Sequence, residues 1–156
     1  MKQRTLGVTT TKQRPSGPPY PMENQIAQYF SDKPEVAAVY LFGSQADKKA
    51  RPFSDVDIAV LVKTGSEELV DRKRVEYLVE LGRLLRKDIH PVIMNQLDEE
   101  VLRRIFSTGT CVLVNDQDAL TRFKTASFVK IAEFGYYRRQ LQKGVIRKVR
   151  EKSQSG

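Results

Sequence analysis

Two aspartates one residue apart, Asp55 and Asp57, are the side chains of this sequence best suited to chemistry. They open the stretch "DVDIAVLV", whose apolar content predicts a strand, and the alternation of a strand turns both carboxylates to the same face. Paired carboxylates repel each other and resist burial, so a positive group is expected between them. Arg51 or a lysine could supply it, but Mg²⁺ prefers carboxylate oxygens and leaves coordination positions for phosphate and water. We therefore predict that Asp55 and Asp57 bind Mg²⁺.

A Gly-Ser pair, Gly43-Ser44, follows the apolar run "VAAVYLF" and precedes Asp55 by ten intervening residues, Gln45 to Ser54. Glycine permits a backbone turn that a Cβ would crowd, and the free N–H groups and the hydroxyl that follow it can hold phosphates. Either motif by itself is a weak signal. Together they suit one ligand, a metal-bound nucleoside triphosphate.

The whole stretch "FGSQADKKARPFSDVDIAV" resembles the Gly-Ser, ten-residue, Asp-x-Asp signature of the nucleotidyltransferases of the DNA polymerase beta superfamily. The short chain is similar to the minimal members, notably the MntA-type antitoxins of HEPN toxin pairs, over about residues 22–141. The resemblance implies an α/β (α+β) fold with a small mixed sheet. It also implies that Gly43 and Ser44 bind ATP with Mg²⁺, and that AMP moves to a tyrosine hydroxyl of a HEPN-type toxin with loss of pyrophosphate.

One departure from the family pattern concerns a third carboxylate, which members usually carry on the strand after the long helix. Aligning that strand through Asn95 places His90 at the position, and Asp88 lies two residues earlier on the same face. Asp88 could act as a metal ligand in a shifted register. His90 could act as the base that accepts the proton of the attacking hydroxyl. The sequence leaves both open, and it also leaves open that catalysis is lost.

The elements that must position these residues follow from periodicity and capping signals. We predict a disordered extension over 1–21, a nucleotidyltransferase domain over 22–141 and a basic tail over 142–156. Within the domain we expect helices over Met22–Phe30, Ser66–Arg86 and after Asp98, strands at Val36–Phe42, Asp55–Val62, Asp88–Asn95 and "TCVLVND", and a long C-terminal helix.

The net charge of +8 lies at the two ends of the chain. Residues 1–22 carry +4, and residues 138–156 carry seven Lys/Arg against Glu151, giving +6, so residues 23–137 carry 8 − 4 − 6 = −2. This distribution favours a near-neutral domain with solvated basic ends over a dedicated nucleic-acid surface. RNA contact through the tail is the less favoured alternative. The apolar runs are too short to span a bilayer, and a cytoplasmic protein is expected.

Two alternative functions remain compatible with the sequence. The first is a non-catalytic antitoxin that binds nucleotide and neutralises its partner by contact. The second is nucleotidyl transfer to a small molecule such as an aminoglycoside, although those enzymes usually bring an additional helical domain for which little chain remains here.

Overall fold

The computed structural model describes residues 21–43 and 54–155 and shows a mixed α/β fold. The predicted fold class is therefore confirmed. The predicted extension over residues 1–21 lies almost entirely outside the described residues. In chain order the elements are α1 (Met22–Ser31), β1 (Val36–Phe42), β2 (Val56–Val62), α2 (Val70–Leu85), β3 (Ile89–Ile93), α3 (Glu99–Thr108), β4 (Thr110–Val114) and α4 (Gln117–Gln154).

The four strands form one mixed sheet in the order β3-β2-β1-β4. Strand β1 is antiparallel to β2 and to β4, whereas β2 and β3 run parallel. The end of β1 and the beginnings of β2 and β3 therefore meet at one end of the sheet. The register places Asp57 beside Phe42 on one side and His90 on the other. This end of the sheet holds the predicted functional residues that the structure describes.

Both faces of the sheet are covered by helices, which explains why β1 and β2 read as almost continuous apolar runs. On one face α1 and α2 pack on the sheet, and on the other face α3 and the beginning of α4 do so. The strand β3 lies at an edge, where the missing N–H of Pro91 does no harm to the ladder. The largest fully buried side chains include Tyr77, Phe30, Ile26, Leu41, Ile58, Met94 and Ile105.

The start of the long helix differs from the predicted one. A single turn of 3-10 helix occupies Glu67–Leu69, and α2 begins only at Val70, without a side-chain cap. Leu78 and Leu84 have the helical spacing of core residues, together with Tyr77 and Leu81, but Leu78 and Leu84 are exposed while Tyr77 and Leu81 are buried. The periodicity of the sequence predicts more buried residues in this helix than the structure buries, because α2 contacts the sheet only along a narrow line.

A buried polar contact ties α2 to the beginning of β1. The hydroxyl of Tyr77 donates to Glu35 at 2.7 Å, and the ammonium of Lys73 lies 3.5 Å from the same carboxylate. Burial and the hydrogen bond to Glu35 raise the pKa of Tyr77. Burial alone would raise the pKa of Glu35, but the Tyr77 hydroxyl and Lys73 outweigh it and hold that pKa below its usual value. The core therefore keeps Glu35 ionised and paired.

Helix α3 lies directly after Asp98, as the sequence predicts. The carboxylate of Asp98 accepts the N–H of Val101 at 2.9 Å and caps α3, which ends at Gly109. Asp116 caps α4 in the same way through Ala119. In the described part of the chain, no helix combines the length and apolar character needed to cross a bilayer.

Candidate active site

Gly43 closes β1 with a backbone turn that other residues would resist. Its φ is +70°, in the left-handed region where a Cβ is strained. A Cβ at this position would also collide with the carboxylate of Asp57 on the neighbouring strand. Glycine is thus needed here for two reasons, the sign of φ and the close approach of the Asp57 side chain.

The carboxylates of Asp55 and Asp57 converge on one imidazole. Oδ2 of Asp55 lies 3.8 Å from Nε2 of His90, and Oδ1 of Asp57 lies 3.5 Å from its Nδ1. The two aspartates point to the same face of the sheet, as their spacing predicts. Both distances exceed the roughly 2.7–3.2 Å of a good hydrogen bond, so neither carboxylate fixes the ring rigidly. The side chains of the three residues are 49%, 31% and 57% exposed in the same order, which leaves them accessible to a ligand.

Asp88, the other candidate for the third position, enters this site through its backbone. Its carbonyl oxygen accepts the N–H of Val56 at 2.9 Å and starts the parallel pairing of β2 with β3. His90, two residues later, is the register partner of Asp57. Of the two candidates, His90 is the one whose side chain contacts both aspartates.

The remaining predicted ligand of the nucleotide, Ser44, lies outside the described residues, as do Arg51 and the lysines beside it. The structure therefore places Gly43, Asp55, Asp57, Asp88 and His90 at one end of the sheet. These residues lie on three strands or directly beside their ends, within positions 43–90 of the chain.

The steric dependence of Asp57 on Gly43 was not anticipated from the sequence. From the sequence, Gly43 is predicted only to permit a turn that leaves room for phosphates, and no contact with the aspartate is predicted. The signal that could have revealed the contact is the antiparallel register, since Phe42 pairs with Asp57 and the next residue must turn over that side chain. Gly43 therefore supports the aspartate as well as the predicted phosphate site.

The donor set at this end of the sheet fits Mg²⁺. Two carboxylates converge on the same space, and Mg²⁺ is commonly bound by one or two carboxylates together with waters and substrate phosphates. Within residues 21–43 and 54–155, no group of three or more His, Cys, Asp or Glu side chains is arranged to hold a metal.

The sequence pattern described as "Polymerase beta, Nucleotidyltransferase" matches residues 24–118, which contain all of the described site residues. The chain belongs to this nucleotidyltransferase family. The resemblance drawn from the Gly-Ser and Asp-x-Asp motifs is therefore confirmed. A search of curated proteins finds no significant match to the chain.

Several solved structures to which the chain is similar are toxin–antitoxin complexes. The chain is similar to one in a crystal structure of a toxin–antitoxin with AMP-PNP, at 24% identity and a TM-score of 0.61, covering 81% of this chain and 97% of that chain. It is similar, at 22% identity and a TM-score of 0.56, to one in the tri-AMPylated HEPN toxin of Shewanella oneidensis in complex with MNT antitoxin, covering 82% and 95%. A third neighbour is the toxin–antitoxin MntA-HepT, at 22% identity, a TM-score of 0.55 and coverage of 82% and 96%. At these identities the likeness establishes the fold, a minimal nucleotidyltransferase domain.

Proposed function

We propose that this family member is a Mg²⁺-dependent enzyme that moves AMP from ATP onto a tyrosine hydroxyl of a HEPN-type toxin and thereby acts as its antitoxin. The observation that carries the proposal is the convergence of the Asp55 and Asp57 carboxylates beside the Gly43 turn. The solved neighbours support it, because one is described with AMP-PNP and another with an AMPylated HEPN toxin.

The transfer is a substitution at the α-phosphorus of ATP. The acceptor oxygen forms a bond to the α-phosphorus, the bond to the oxygen bridging to the β-phosphate breaks, and pyrophosphate leaves with that electron pair. Asp55 and Asp57 would hold Mg²⁺, which when bound neutralises charge on the phosphate oxygens. Gly43 has no side chain, which leaves room beside its backbone where the phosphates are expected. Ser44 is proposed to donate a hydrogen bond to the phosphates.

A labelling experiment tests this function directly. The purified chain is incubated with Mg²⁺, the HEPN-type toxin encoded beside it and ATP labelled either at the α- or at the γ-phosphate. We expect label on the toxin from α-labelled ATP alone, because γ-label leaves in pyrophosphate. Label from γ-labelled ATP would indicate phosphoryl transfer and contradict the proposal. Label on an added aminoglycoside in place of the toxin would favour the small-molecule alternative.

His90 is proposed to occupy the position of the family's third carboxylate. Its ring contacts both aspartates, and it lies on the strand next to β2. In the wild-type chain one nitrogen of the neutral imidazole would donate its N–H to a carboxylate, and the other nitrogen would accept the proton of the attacking hydroxyl. Asp88 is the alternative residue for this role, and it lies at the beginning of the same strand.

Substitutions at the two positions distinguish these roles. We expect His90→Ala to lower the rate of transfer by about 10²-fold, the usual size of a general-base contribution. His90→Asp should retain much of the rate, because it restores the carboxylate that the family carries there. Asp88→Asn serves as the matched variant and should change the rate by less than about threefold. Rates measured with α-labelled ATP check the series, and a loss confined to Asp88→Asn would assign the role to Asp88 instead.

A non-catalytic nucleotide-binding antitoxin is the second candidate function. The observation that favours it is His90 itself, since an imidazole stands where other members carry a carboxylate. In this case ATP would bind and the toxin would be neutralised without label. Neutralisation that persists in Asp55→Asn, together with the absence of label in the wild type, would establish this function in place of the first.

A further inference from the structure

The last helix, α4, carries an apolar face far beyond the domain on which it packs. Its first part contributes the buried Leu120 to the core, and Phe123 and Ile131 pack against the same cluster. The face then continues along the helix in steps of three or four residues. Its exposed members, which we call the α4 stripe, are Phe134, Tyr137, Leu141, Val145 and Val149.

The α4 stripe is accessible to solvent over its whole length. Leu141 is 71% exposed and Val145 is 60% exposed, and from residue 136 to residue 155 every residue except Gly144 is exposed. At about 1.5 Å per residue, the helix after Phe134 extends for roughly 30 Å. Five large apolar side chains in one line on such a helix are typical of an interaction surface. A helix that is surrounded by water gains no stability from an apolar face.

The charges beside the stripe determine what chemistry could cover it. Residues 138–155 contain seven Lys/Arg and one acid, Glu151, which gives 7 − 1 = +6. Arg138 and Lys148 lie close to the stripe on its two sides by helical spacing. A second copy of the chain would bring another +6 to the same surface, so self-association through this face is opposed by like charges. The complementary occupant has an apolar groove with acidic rims.

A bilayer surface fits the stripe less well than a protein groove does. Helices that lie in a membrane interface bury a broad apolar face. The α4 stripe has about one apolar residue per turn, and after Phe134 the further exposed large apolar side chains of the described helix are Tyr136 and Ile146. Lys152 lies on the line of the stripe one turn after Val149 by helical spacing. A narrow seam of this kind matches the helix-in-groove mode of protein recognition, in which residues three and four apart act as anchors.

We propose that the α4 stripe docks into an apolar groove, rimmed by Asp and Glu, on the partner toxin. The identity of this partner rests on the proposed function, whereas the chemistry of the surface rests on α4 itself. Docking at α4 would hold the toxin by a surface separate from Asp55 and Asp57. The antitoxin would thus bind its partner independently of the transfer reaction.

Two neighbouring substitutions with the same charge change test the docking. Leu141→Asp places a carboxylate in the stripe, and Gln140→Asp places one a single residue away, off the stripe. Both are prepared in an Asp55→Asn background so that no covalent transfer occurs, and helicity is checked by circular dichroism. Binding of the purified HEPN-type toxin encoded beside the chain is measured by calorimetry. We expect Leu141→Asp to weaken binding by about 30-fold or more, the effect of losing a central anchor, and Gln140→Asp by less than about threefold.

The other occupants are separate outcomes of the same experiment. Equal affinities for the two variants would overturn the proposal. It would also be overturned if light scattering showed a dimer of the chain that Leu141→Asp dissociates, or if anionic vesicles of phosphatidylglycerol and phosphatidylcholine bound the chain through Leu141 while the toxin did not.

Failure of the docking can be told apart from failure of the proposed function. Stripe-dependent binding without any transfer of α-label would leave the docking standing and remove the enzymatic proposal. Transfer of α-label to the toxin, with equal affinities of Leu141→Asp and Gln140→Asp for the toxin, would remove the docking proposal and leave the enzymatic proposal standing.

Discussion

Replacing Asp57 with asparagine is expected to abolish nucleotidyl transfer while leaving the fold intact. Asparagine has the same shape but lacks the charge that would hold Mg²⁺ against the phosphates. Asp57 lies in register with both Phe42 and His90, so no neighbouring side chain can move into its place without disturbing two strands. We expect the rate with α-labelled ATP to fall by about 10³-fold, which corresponds to roughly 4 kcal/mol of transition-state stabilisation.

Stability measurements separate this loss of activity from unfolding. Removing one of two converging carboxylates relieves repulsion, so the Tm of Asp57→Asn should equal or exceed that of the wild type. Asp32→Asn is the matched control, because Asp32 is an exposed aspartate at the end of α1, and it should change neither rate nor Tm appreciably. Transfer at the wild-type rate by Asp57→Asn would contradict the assignment of the metal site.

The arrangement of the strands could be predicted because the relevant signals are local. The runs "VAAVYLF" and "DVDIAVLV" are apolar enough to be buried on both faces, and they form β1 and β2. Pro91 cannot donate to a ladder, which favours a sheet edge or a bulge, and the sheet order places β3 at an edge. The alternation of side chains along β2 also predicts that Asp55 and Asp57 point to the same face. What the sequence predicts well is therefore which residues form strands and which side chains share a face of one strand.

Features that depend on packing between distant elements were predicted less well. The sequence predicts a helix from Ser66, but α2 begins at Val70 after a 3-10 turn. Leu78 and Leu84 have the spacing of core residues and are exposed, because the width of the buried face depends on how the helix lies on the sheet. The contact of His90 with both aspartates likewise depends on the register of two strands that are more than 30 residues apart. Periodicity within one element contains none of this information.

Replacing Gly43 with alanine is the second substitution expected to have a large effect. The backbone at Gly43 has φ +70°, which costs an alanine about 1–2 kcal/mol. The new Cβ would also collide with the Asp57 carboxylate, which must shift. We expect the free energy of unfolding to fall by about 2–3 kcal/mol. The rate of transfer should fall nearly as far as in Asp57→Asn, because the aspartate loses its position and the backbone beside it is displaced.

Gly65→Ala is a matched control that isolates the collision from the backbone strain. Gly65 also has a positive φ, +93°, but a Cβ there would meet no atom within 4 Å. This variant should lose stability through strain alone and keep its rate of transfer. In an Asp57→Ala background, moreover, Gly43→Ala should cost less stability than in the wild type, because the colliding carboxylate is gone. Chemical denaturation of the four proteins of this cycle measures the coupling, and an unchanged cost of Gly43→Ala would mean that Gly43 does not position Asp57.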